Sequence, residues 1–482
     1  MLKLNQIAVA VTLAFPMLVS AQSNADLQGQ IEALKAEVSQ LKALMMRGAA
    51  TPAVQEAQLP PVDPEDFNQI KVKVEAMQDQ QLTAGFKGLR IAGGFDPVYM
   101  YNRAKGTSSF AFLNNFVNTN GSGETYAYDN SYFGMAYLDI QKEMDDGGTK
   151  FRLTLAPSKS AGSNYNFGNI VHEASVSVPL SDSQTRFIAG QMPDVSGYEP
   201  YLNTYVGANS LSSNLLYPGY GEYFITKNML FDFTAATYYT GVGLDITRGP
   251  WETKLILANF NSSRNDVNNN LCPVGVACDT PAVRSPTFIY NVTYAQDEFW
   301  GFEFTGYEGR VANAVAGGAS RLDQFEIDGN YTRGNFNGNL QFTVGRQANA
   351  AFNGGDASWW GVSALVSQRV LPKLTLAARA DYLNNERNGG GMFNIYSNTA
   401  AAAGDFVNGF GPGDPNDPNF DPNTGANRYS LSLAATYRMT SNVALRAEYR
   451  HDHASTPAFY YYGDQSYRKD NDTFGLQTIV NF

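Results

Sequence analysis

Cysteine and histidine are scarce in this chain of 482 residues, which contains two cysteines and three histidines. Such small numbers exclude a disulfide-rich secreted scaffold and leave few ligands for a structural zinc site. Acidic residues outnumber basic ones, the net charge is −11, and the charges are scattered rather than gathered into a basic face that could bind nucleic acid. We therefore expect no nucleic-acid partner, no metal and no cofactor.

Long hydrophobic runs are also missing. Beyond residue 21 no stretch approaches the ~18 consecutive apolar residues that suggest a transmembrane helix, and the mean hydropathy is −0.29. Glycine (45), tyrosine (28) and phenylalanine (30) are abundant, which is typical of chains with many strands and turns. The same composition also fits a secreted β-solenoid, so the pattern along the chain has to decide.

Residues 1–21 have the pattern of a secretory signal peptide. Lys3 precedes an apolar core from Ile7 to Val19, and the small residues Ser20 and Ala21 form a cleavage-like exit. The apolar run is too short for a membrane anchor. We expect the protein to be periplasmic, secreted, or in the outer membrane of a Gram-negative cell.

A heptad pattern occupies residues 22–48. Its apolar residues are spaced by four and three positions in turn, at Leu27, Ile31, Leu34, Val38, Leu41 and Met45. This spacing favours a short periplasmic coiled coil, and hence self-association, over a single amphipathic helix packed on the rest of the protein. Residues 49–84 are predicted to be a proline-rich linker with a second short helix near residues 65–81.

From residue 85 to residue 482 apolar and polar residues alternate, as in strands with one face in an apolar environment. The last nine residues, FGLQTIVNF, show the pattern clearly. Sixteen segments are predicted to be strands: 86–102, 130–142, 149–158, 169–180, 184–192, 236–248, 250–260, 285–295, 298–310, 320–333, 335–348, 357–369, 372–384, 427–438, 441–452 and 468–482.

The connections between these segments predict how they are arranged. Short turns and long loops alternate along the chain, as in an outer-membrane barrel, whereas a Greek-key sandwich has no such order. We therefore predict an all-β fold, a transmembrane antiparallel β-barrel of about sixteen strands that follows the N-terminal helix. The last strand then pairs with the first, which places Phe482 at the periplasmic interface.

The order of these elements resembles a family of porins. A signal peptide, heptad helix, proline-rich linker and barrel ending in phenylalanine resemble the DcaP-like trimeric porins over nearly the whole chain. A resemblance to the constriction-loop region of β-barrel porin families lies in AGQMPDVSGYEP and ITKNMLFDFTAATYYTGVGLDI. FNQIKVKVEAM and GFKGLRIAGGFDPVYMYNR resemble poorly characterised porin-like proteins of proteobacteria. The resemblance implies a homotrimer and the uptake of small, often anionic, solutes.

Charged residues on the polar side of the strands are the candidate pore lining. The arginines lie on the early and late strands, at Arg90, Arg152, Arg186, Arg379, Arg446 and Arg450. The carboxylates lie on the middle strands, at Asp245, Glu303, Glu326 and Asp328. Because a barrel places these groups on opposite walls, we expect a transverse field and a preference for small anions. The alternative for any single residue is a charge that solvates the lumen and pairs with its neighbours.

Residues 193–235 form a long, aromatic-rich insertion after the fifth predicted strand. Its candidate constriction residues are Tyr198, Glu199, Tyr201 and Glu222. We interpret the insertion as a loop that folds into the barrel and narrows it. The alternative is a loop that packs over a subunit contact.

Cys272 and Cys278 lie in one outward loop of an exported protein, and this position suggests a local disulfide. The loop 411–425 contains Asp414, Asp417 and Asp421, but their spacing matches no known calcium loop. Solvated turns are therefore favoured there over a calcium site.

His453 and Ser455 have the spacing of the histidine and serine of outer-membrane phospholipases. No orienting asparagine or aspartate is evident on a neighbouring strand, so a rim histidine in contact with water is favoured.

Three classes of function remain. The leading hypothesis is a porin, a water-filled channel for small hydrophilic solutes that prefers anions. The alternative is a non-conducting barrel that acts as an adhesin or structural anchor, and a barrel hydrolase is the least favoured, so we expect no enzyme. The expected partners are outer-membrane lipid, lipopolysaccharide, small solutes and further copies of the chain in a homotrimer.

Overall fold

The computed structural model of the chain describes residues 88–112, 134, 136–144, 147–156, 171–199, 223–235, 238–260, 286–295, 297, 299–312, 319–351, 354–385, 413–421 and 424–482. The predicted signal peptide, coiled coil and linker lie outside these residues. So do Tyr201, Glu222, Cys272 and Cys278. Within the described ranges, no helix has the length and apolar character needed to cross a bilayer.

The described elements are twenty strands and one short helix. The strands are β1 (Leu89–Phe95), β2 (Val98–Asn102), β3 (Thr107–Ala111), β4 (Ala136–Glu143), β5 (Lys150–Leu155), β6 (Val171–Asp182), β7 (Thr185–Pro193), β8 (Tyr238–Arg248), β9 (Trp251–Phe260), β10 (Thr287–Ala295), β11 (Trp300–Ala312), β12 (Ala319–Arg333), β13 (Phe336–Gln347), β14 (Ala357–Leu371), β15 (Leu374–Asn384), β16 (Arg428–Arg438), β17 (Val443–Ala454), β18 (Phe459–Tyr461), β19 (Ser466–Arg468) and β20 (Asp470–Asn481). The helix α1 (Met229–Thr234) lies between β7 and β8.

The first two strands of the barrel are each built from two pieces. β1 and β2 are separated only by Asp96 and Pro97, where proline has no N–H to donate to a neighbouring strand. β4 pairs with β1, and β3 pairs with β2, along the same side of this interrupted strand. These two composite strands, together with β5 through β17 and β20, make sixteen barrel strands.

Every neighbouring pair in the barrel is antiparallel, and the last strand closes the ring on the first. β20 pairs with both β1 and β2, from Gly94 opposite Asn481 to Asn102 opposite Thr473. Two backbone hydrogen bonds of 2.9 and 3.1 Å join Gly93 to Phe482. The predicted closed barrel of sixteen antiparallel strands is therefore confirmed.

Two local features differ from the sequence prediction. The second barrel strand was predicted at 130–142, but its described parts are β3 and β4. β3 has the sequence TSSFA, which shows no alternation of apolar and polar residues. The hairpin of β18 and β19 lies, apart from Arg468, between the predicted strands 441–452 and 468–482, and it forms a separate two-stranded sheet.

Two of the short turns depend on glycine. Gly249 and Gly334 have φ values of 57° and 61°, in the left-handed region that glycine enters without steric cost. Each starts a two-residue connection, between β8 and β9 and between β12 and β13. These two-residue turns fix the register of the strands that they join. They lie at one end of the barrel, which we call the short-turn end.

The barrel has its apolar side chains outside and its polar side chains inside. On β13 the outward residues Leu340, Phe342 and Val344 are 57%, 37% and 40% exposed, whereas the inward Gln341 and Thr343 are buried. The same alternation runs through β14, β16 and β20. In a water-soluble protein the apolar side chains lie inside instead. The outer surface of this barrel therefore requires an apolar environment.

Candidate functional site

Residues 194–199 and 223–235, which we call the inward segment, lie against the inner wall of the barrel. The hydroxyl of Tyr198 is hydrogen-bonded to Ser363 Oγ at 2.5 Å. The amide of Asn291 donates to the carbonyl of Val195 at 3.0 Å. Because Ser363 and Asn291 both face the lumen, the segment lies inside the barrel rather than above it.

Three of the arginines that were predicted to line a pore hold the backbone of this segment. Arg379 donates to the carbonyls of Thr226 and Lys227 at 2.8 and 2.9 Å. Arg450 donates to the carbonyl of Lys227 at 3.1 Å, and Arg446 donates to the carbonyl of Phe224 at 3.2 Å. All three side chains are buried. Their charge is therefore directed at peptide groups of the inward segment.

Two carboxylates complete this anchorage. Glu448 accepts hydrogen bonds from the backbone N–H groups of Ile225 and Thr226, and from the hydroxyl of Thr226 at 2.5 Å. Glu199 forms an ion pair with Arg379 at 3.2 Å and accepts the N–H of Asn228 at 2.8 Å. Glu199, predicted as a constriction residue, thus joins the two parts of the inward segment to the wall.

The short helix α1 places apolar side chains within the lumen. Asn228 caps its N-terminus by accepting the N–H of Phe231 at 2.7 Å. The buried cluster around this helix includes Ile225, Met229, Leu230 and Phe233 of the segment and Val98, Met100, Ile256, Ile289, Trp359 and Leu383 of the wall. A Cβ atom at Gly361 would lie 2.3 Å from a methyl carbon of Leu230. Gly361 therefore lets the helix approach the wall closely.

The remaining predicted arginines have other contacts. Arg152 forms ion pairs with Asp139 and Glu173 at 2.8 and 3.3 Å. Arg186 donates to Ser177 Oγ and to the carbonyl of Gly148, both at 2.7 Å. Arg90 lies on the inner face of β1 opposite Gln141 and is half-buried. Arg152 matches the alternative in which an inward charge pairs with its neighbours.

Three of the four predicted carboxylates lie together on β11 and β12. Glu303 on β11 is directly opposite Asp328 on β12, and Glu326 lies one inward position further along β12. Thr343 donates to Glu326 at 2.6 Å. Asp245 lies opposite both Arg186 and Lys254. The barrel thus has an acidic wall at β11 and β12, while the arginines that hold the inward segment come from β15 and β17.

Burial raises the pKa values of two side chains in the inward segment. It raises the pKa of the Asp194 carboxyl to about 7, while hydrogen bonds from Tyr307 and Ser196 act in the opposite direction. Burial also raises the pKa of the Tyr198 phenol well above its usual value. Burial therefore favours the protonated form of Asp194 more than it would for an exposed carboxyl.

One expectation about the histidine pair is corrected by the structure. An aspartate on the neighbouring strand does orient His453, because Nδ1 of His453 is hydrogen-bonded to Asp470. Ser455 Oγ instead accepts the backbone N–H of Asn427 at 3.0 Å. Among the described residues no hydrogen bond joins His453 to Ser455, so these side chains do not assemble a nucleophile and base.

The acidic loop carries turn-capping carboxylates. Asp414 accepts the N–H of Asn416, and Asp417 accepts the N–H of Asn419, each at 2.8 Å. Asp421 accepts the hydroxyl of Thr424 at 2.9 Å. Each carboxylate caps its own turn, as in the solvated-turn interpretation.

The chain is similar to one family and to several solved barrels. A family profile described as "Protein of unknown function (DUF3138)" matches residues 47–482. No curated protein matches. An anion-selective porin from Comamonas acidovorans is 11% identical with a TM-score of 0.47, over 82% of this chain and 99% of that one.

OprB of Pseudomonas putida is 9% identical with a TM-score of 0.47, over 84% and 96% of the two chains. OmpT of Vibrio cholerae in its trimer form is 10% identical with a TM-score of 0.45, over 82% and 99%. At these identities and TM-scores no residue role carries over to this chain.

Proposed function

Because this chain belongs to the DUF3138 family of proteins of unknown function, its activity has to be inferred from the barrel itself, and we propose that it is an outer-membrane porin for small hydrophilic solutes. The observation that carries this proposal is the reversed polarity of the sixteen-stranded barrel. Large apolar side chains cover its outside, while amides, hydroxyls and charges cover the inside apart from the apolar cluster around α1. Barrels of sixteen to eighteen strands are wide enough to enclose an aqueous channel.

The proposed constriction is formed by the inward segment. Its backbone is held to one wall by Arg379, Arg446, Arg450 and Glu448, which supports a fixed rather than a free loop inside the barrel. The predicted constriction residues Tyr201 and Glu222 belong to the stretch that joins its two described parts. In this proposal lipid and lipopolysaccharide surround the apolar outer surface, and the protein assembles as a homotrimer.

The proposed preference for small anions now depends on fewer arginines. Arg379, Arg446 and Arg450 donate to peptide carbonyls, and Arg152 is ion-paired. Arg90 is half-buried on the inner face of β1, and we propose that a passing anion can approach its guanidinium from the lumen. Guanidinium groups stay charged and bind carboxylates or phosphates through two parallel hydrogen bonds.

A non-conducting barrel remains the second candidate because of one specific observation. The apolar residues of α1 belong to one buried cluster with Val98 and Met100 of the first barrel strand and with Ile256 and Ile289 on β9 and β10. This cluster joins wall residues from distant strands through the inward segment. A segment that fills the lumen in this way would suit a structural anchor or an adhesin.

Conductance in planar bilayers separates these two functions. For a porin we expect stepwise ohmic currents from the purified protein, and in a KCl gradient a reversal potential that indicates anion preference. Arg90→Gln should reduce that preference, whereas Arg346→Gln, at an exposed outward position of β13, should leave it unchanged. A folded protein without current would favour the anchor, and a cation preference unaffected by Arg90→Gln would reject the proposed selectivity.

A further inference from the structure

The hairpin of β18 and β19, which we call the mouth hairpin, folds over the rim of the lumen at the end opposite the short turns. Its residues Phe459 and Tyr461 are 1% and 7% exposed. They belong to a buried cluster with Ala104, Ala426, Ala454 and Ala458. Ala454 ends β17 at an inward position, so the hairpin covers the inside of the rim and not the outer surface of the barrel.

Hydrogen bonds and one ring contact fix the mouth hairpin in this position. The N–H of Tyr462 donates to the carbonyl of Ala104 at 3.0 Å. The phenol of Tyr461 donates to the carbonyl of Asp470 at 2.9 Å. The guanidinium carbon of Arg468 lies 4.1 Å from the centre of the Tyr461 ring. The hairpin is therefore held as a defined layer across one side of the mouth.

One guanidinium joins this layer to the helix α1 in the lumen. The guanidinium carbon of Arg428 lies 5.2 Å from the ring centre of Phe459 and 5.7 Å from that of Phe233. Phe459 belongs to the mouth hairpin and Phe233 to the inward segment. The Arg428 side chain has no exposed surface, and contacts between a cation and a ring are stronger where water is excluded. Arg428 therefore links the two layers directly.

A buried chain of ion pairs continues from Arg428 to the backbone of the inward segment. Asp452 Oδ1 accepts from Arg428 at 2.7 Å and from Arg450 at 3.0 Å, and none of these three side chains is exposed. Arg450 in turn donates to the carbonyl of Lys227 at 3.1 Å and to Thr226 Oγ1 at 3.2 Å. Because a buried charge left without its partner is costly, displacement of Arg428 disturbs Arg450 and, through it, the inward segment.

We propose that the mouth hairpin and the inward segment form a coupled gate, in which the opening of either layer favours the opening of the other through Arg428 and Asp452. Anything that displaces the hairpin then also loosens the segment that narrows the lumen. As control of a solute pathway, this inference rests on the proposed porin function. The coupling itself does not, since it needs only the folded barrel.

Trypsin cleavage after Lys227 tests the coupling from the side of the hairpin. Lys227 is buried, so cleavage there reports the open population of the inward segment. Phe459→Ala removes the contact of the hairpin with Arg428 and should speed the cleavage about fivefold. Phe459→Leu fills part of the same space without a ring and should give a smaller rise. Tyr467→Ala removes a ring from the other side of the hairpin, where it contacts Tyr460, and should change the rate less than twofold.

Hydrogen exchange tests the coupling from the side of the inward segment. A coupling free energy is reciprocal, so loss of the link must change the opening of both layers by the same factor. We expect Phe233→Ala to raise the exchange rate of the Tyr462 amide, which donates to Ala104, about fivefold. Leu230→Ala also shortens a buried side chain of α1 but leaves the Phe233 ring next to Arg428, and should change this rate less than twofold.

Folding of each variant is checked by the heat-dependent shift of a closed barrel on a gel. The proposal is overturned by wild-type cleavage in both Phe459 variants, by wild-type exchange in Phe233→Ala, or by the same rise in Tyr467→Ala as in Phe459→Ala. Coupled opening in a protein that carries no current would retain the link and reject the porin function. A conducting protein in which the two layers open independently would do the reverse.

Discussion

Glu448 shows how one side chain can hold a loop inside a barrel. Its two oxygens accept two backbone N–H groups and one hydroxyl from residues 225 and 226. Hydrogen bonds to charged groups contribute about 1.5–3 kcal/mol, and buried donors left without an acceptor are costly. We therefore expect Glu448→Ala to lower the free energy needed to detach the inward segment from the wall by roughly 2 kcal/mol. The population of the detached state should then rise about thirtyfold.

Trypsin cleavage after Lys227 measures this detachment, because Lys227 is buried at 1% exposure and is cut only when the segment opens. Mass spectrometry should detect the peptide ending at Lys227 much earlier in Glu448→Ala than in the wild-type protein. Glu308→Ala removes an exposed carboxylate on the outward face of β11 and should cleave at the wild-type rate. Equal cleavage rates for the two variants would show that Glu448 does not anchor the segment.

The arginines that face the lumen occupy similar positions on alternating strands, but their contacts differ. Arg379 and Arg450 occupy the polar side of an alternating strand, as Arg369 does. The first two donate to carbonyls of the inward segment that are 152 and 223 positions away. Such distant backbone partners leave no mark on the sequence near the arginine. Charge at an inward position was therefore predictable, but its partner was not.

At the scale of an element, β13 carries the clearest alternation of the barrel. Its outward residue Phe342 lies near the middle of the strand, at the depth where a charge in lipid costs about 2–4 kcal/mol. We expect Phe342→Lys to destabilise the folded barrel by that amount. The measurement is urea unfolding of the protein in lipid vesicles, followed by tryptophan fluorescence.

The matched substitution is Asn330→Lys, which adds the same charge at an exposed inward position of β12. It should change the unfolding free energy by less than about 0.5 kcal/mol, as substitutions at wet surfaces usually do. Similar losses in both variants would mean that the outer face of β13 does not contact lipid.

The strands were largely predictable because their outward-facing side chains must be apolar, whatever the polarity of the inward-facing ones. This rule applied to β13 and β20 and located fifteen of the sixteen barrel strands to within a few residues, while of the second strand it located only the β4 part. It did not apply to β3, whose sequence TSSFA lacks alternation, or to the hairpin of β18 and β19, where four of the six residues are aromatic and no alternation of apolar and polar residues appears. Short strands at loop ends pair mainly through their backbone, so their side chains carry little signal.

At the scale of the whole molecule, the closed barrel has no edge strand that could pair with a strand of another chain. β20 closes on β1 and β2, so each of the sixteen barrel strands has neighbours on both sides. Any assembly of several copies must therefore use outward side chains, loops or segments outside the barrel. The heptad pattern of residues 22–48 is a segment of this kind.

We expect the heptad seam to stabilise a homotrimer, because Ile31, Leu34, Val38 and Leu41 place apolar side chains on one side of a helix. Leu34→Lys with Leu41→Lys puts two charges into that seam and should shift the mass measured by single-particle photometry from three copies towards one. Ala36→Lys with Ala43→Lys adds the same charges five positions after Ile31 and Val38, on the opposite side of the helix, and should leave the trimer intact. An unchanged trimer in the seam variant would assign assembly to the barrel alone, and dissociation in both variants would point to added charge rather than to the seam.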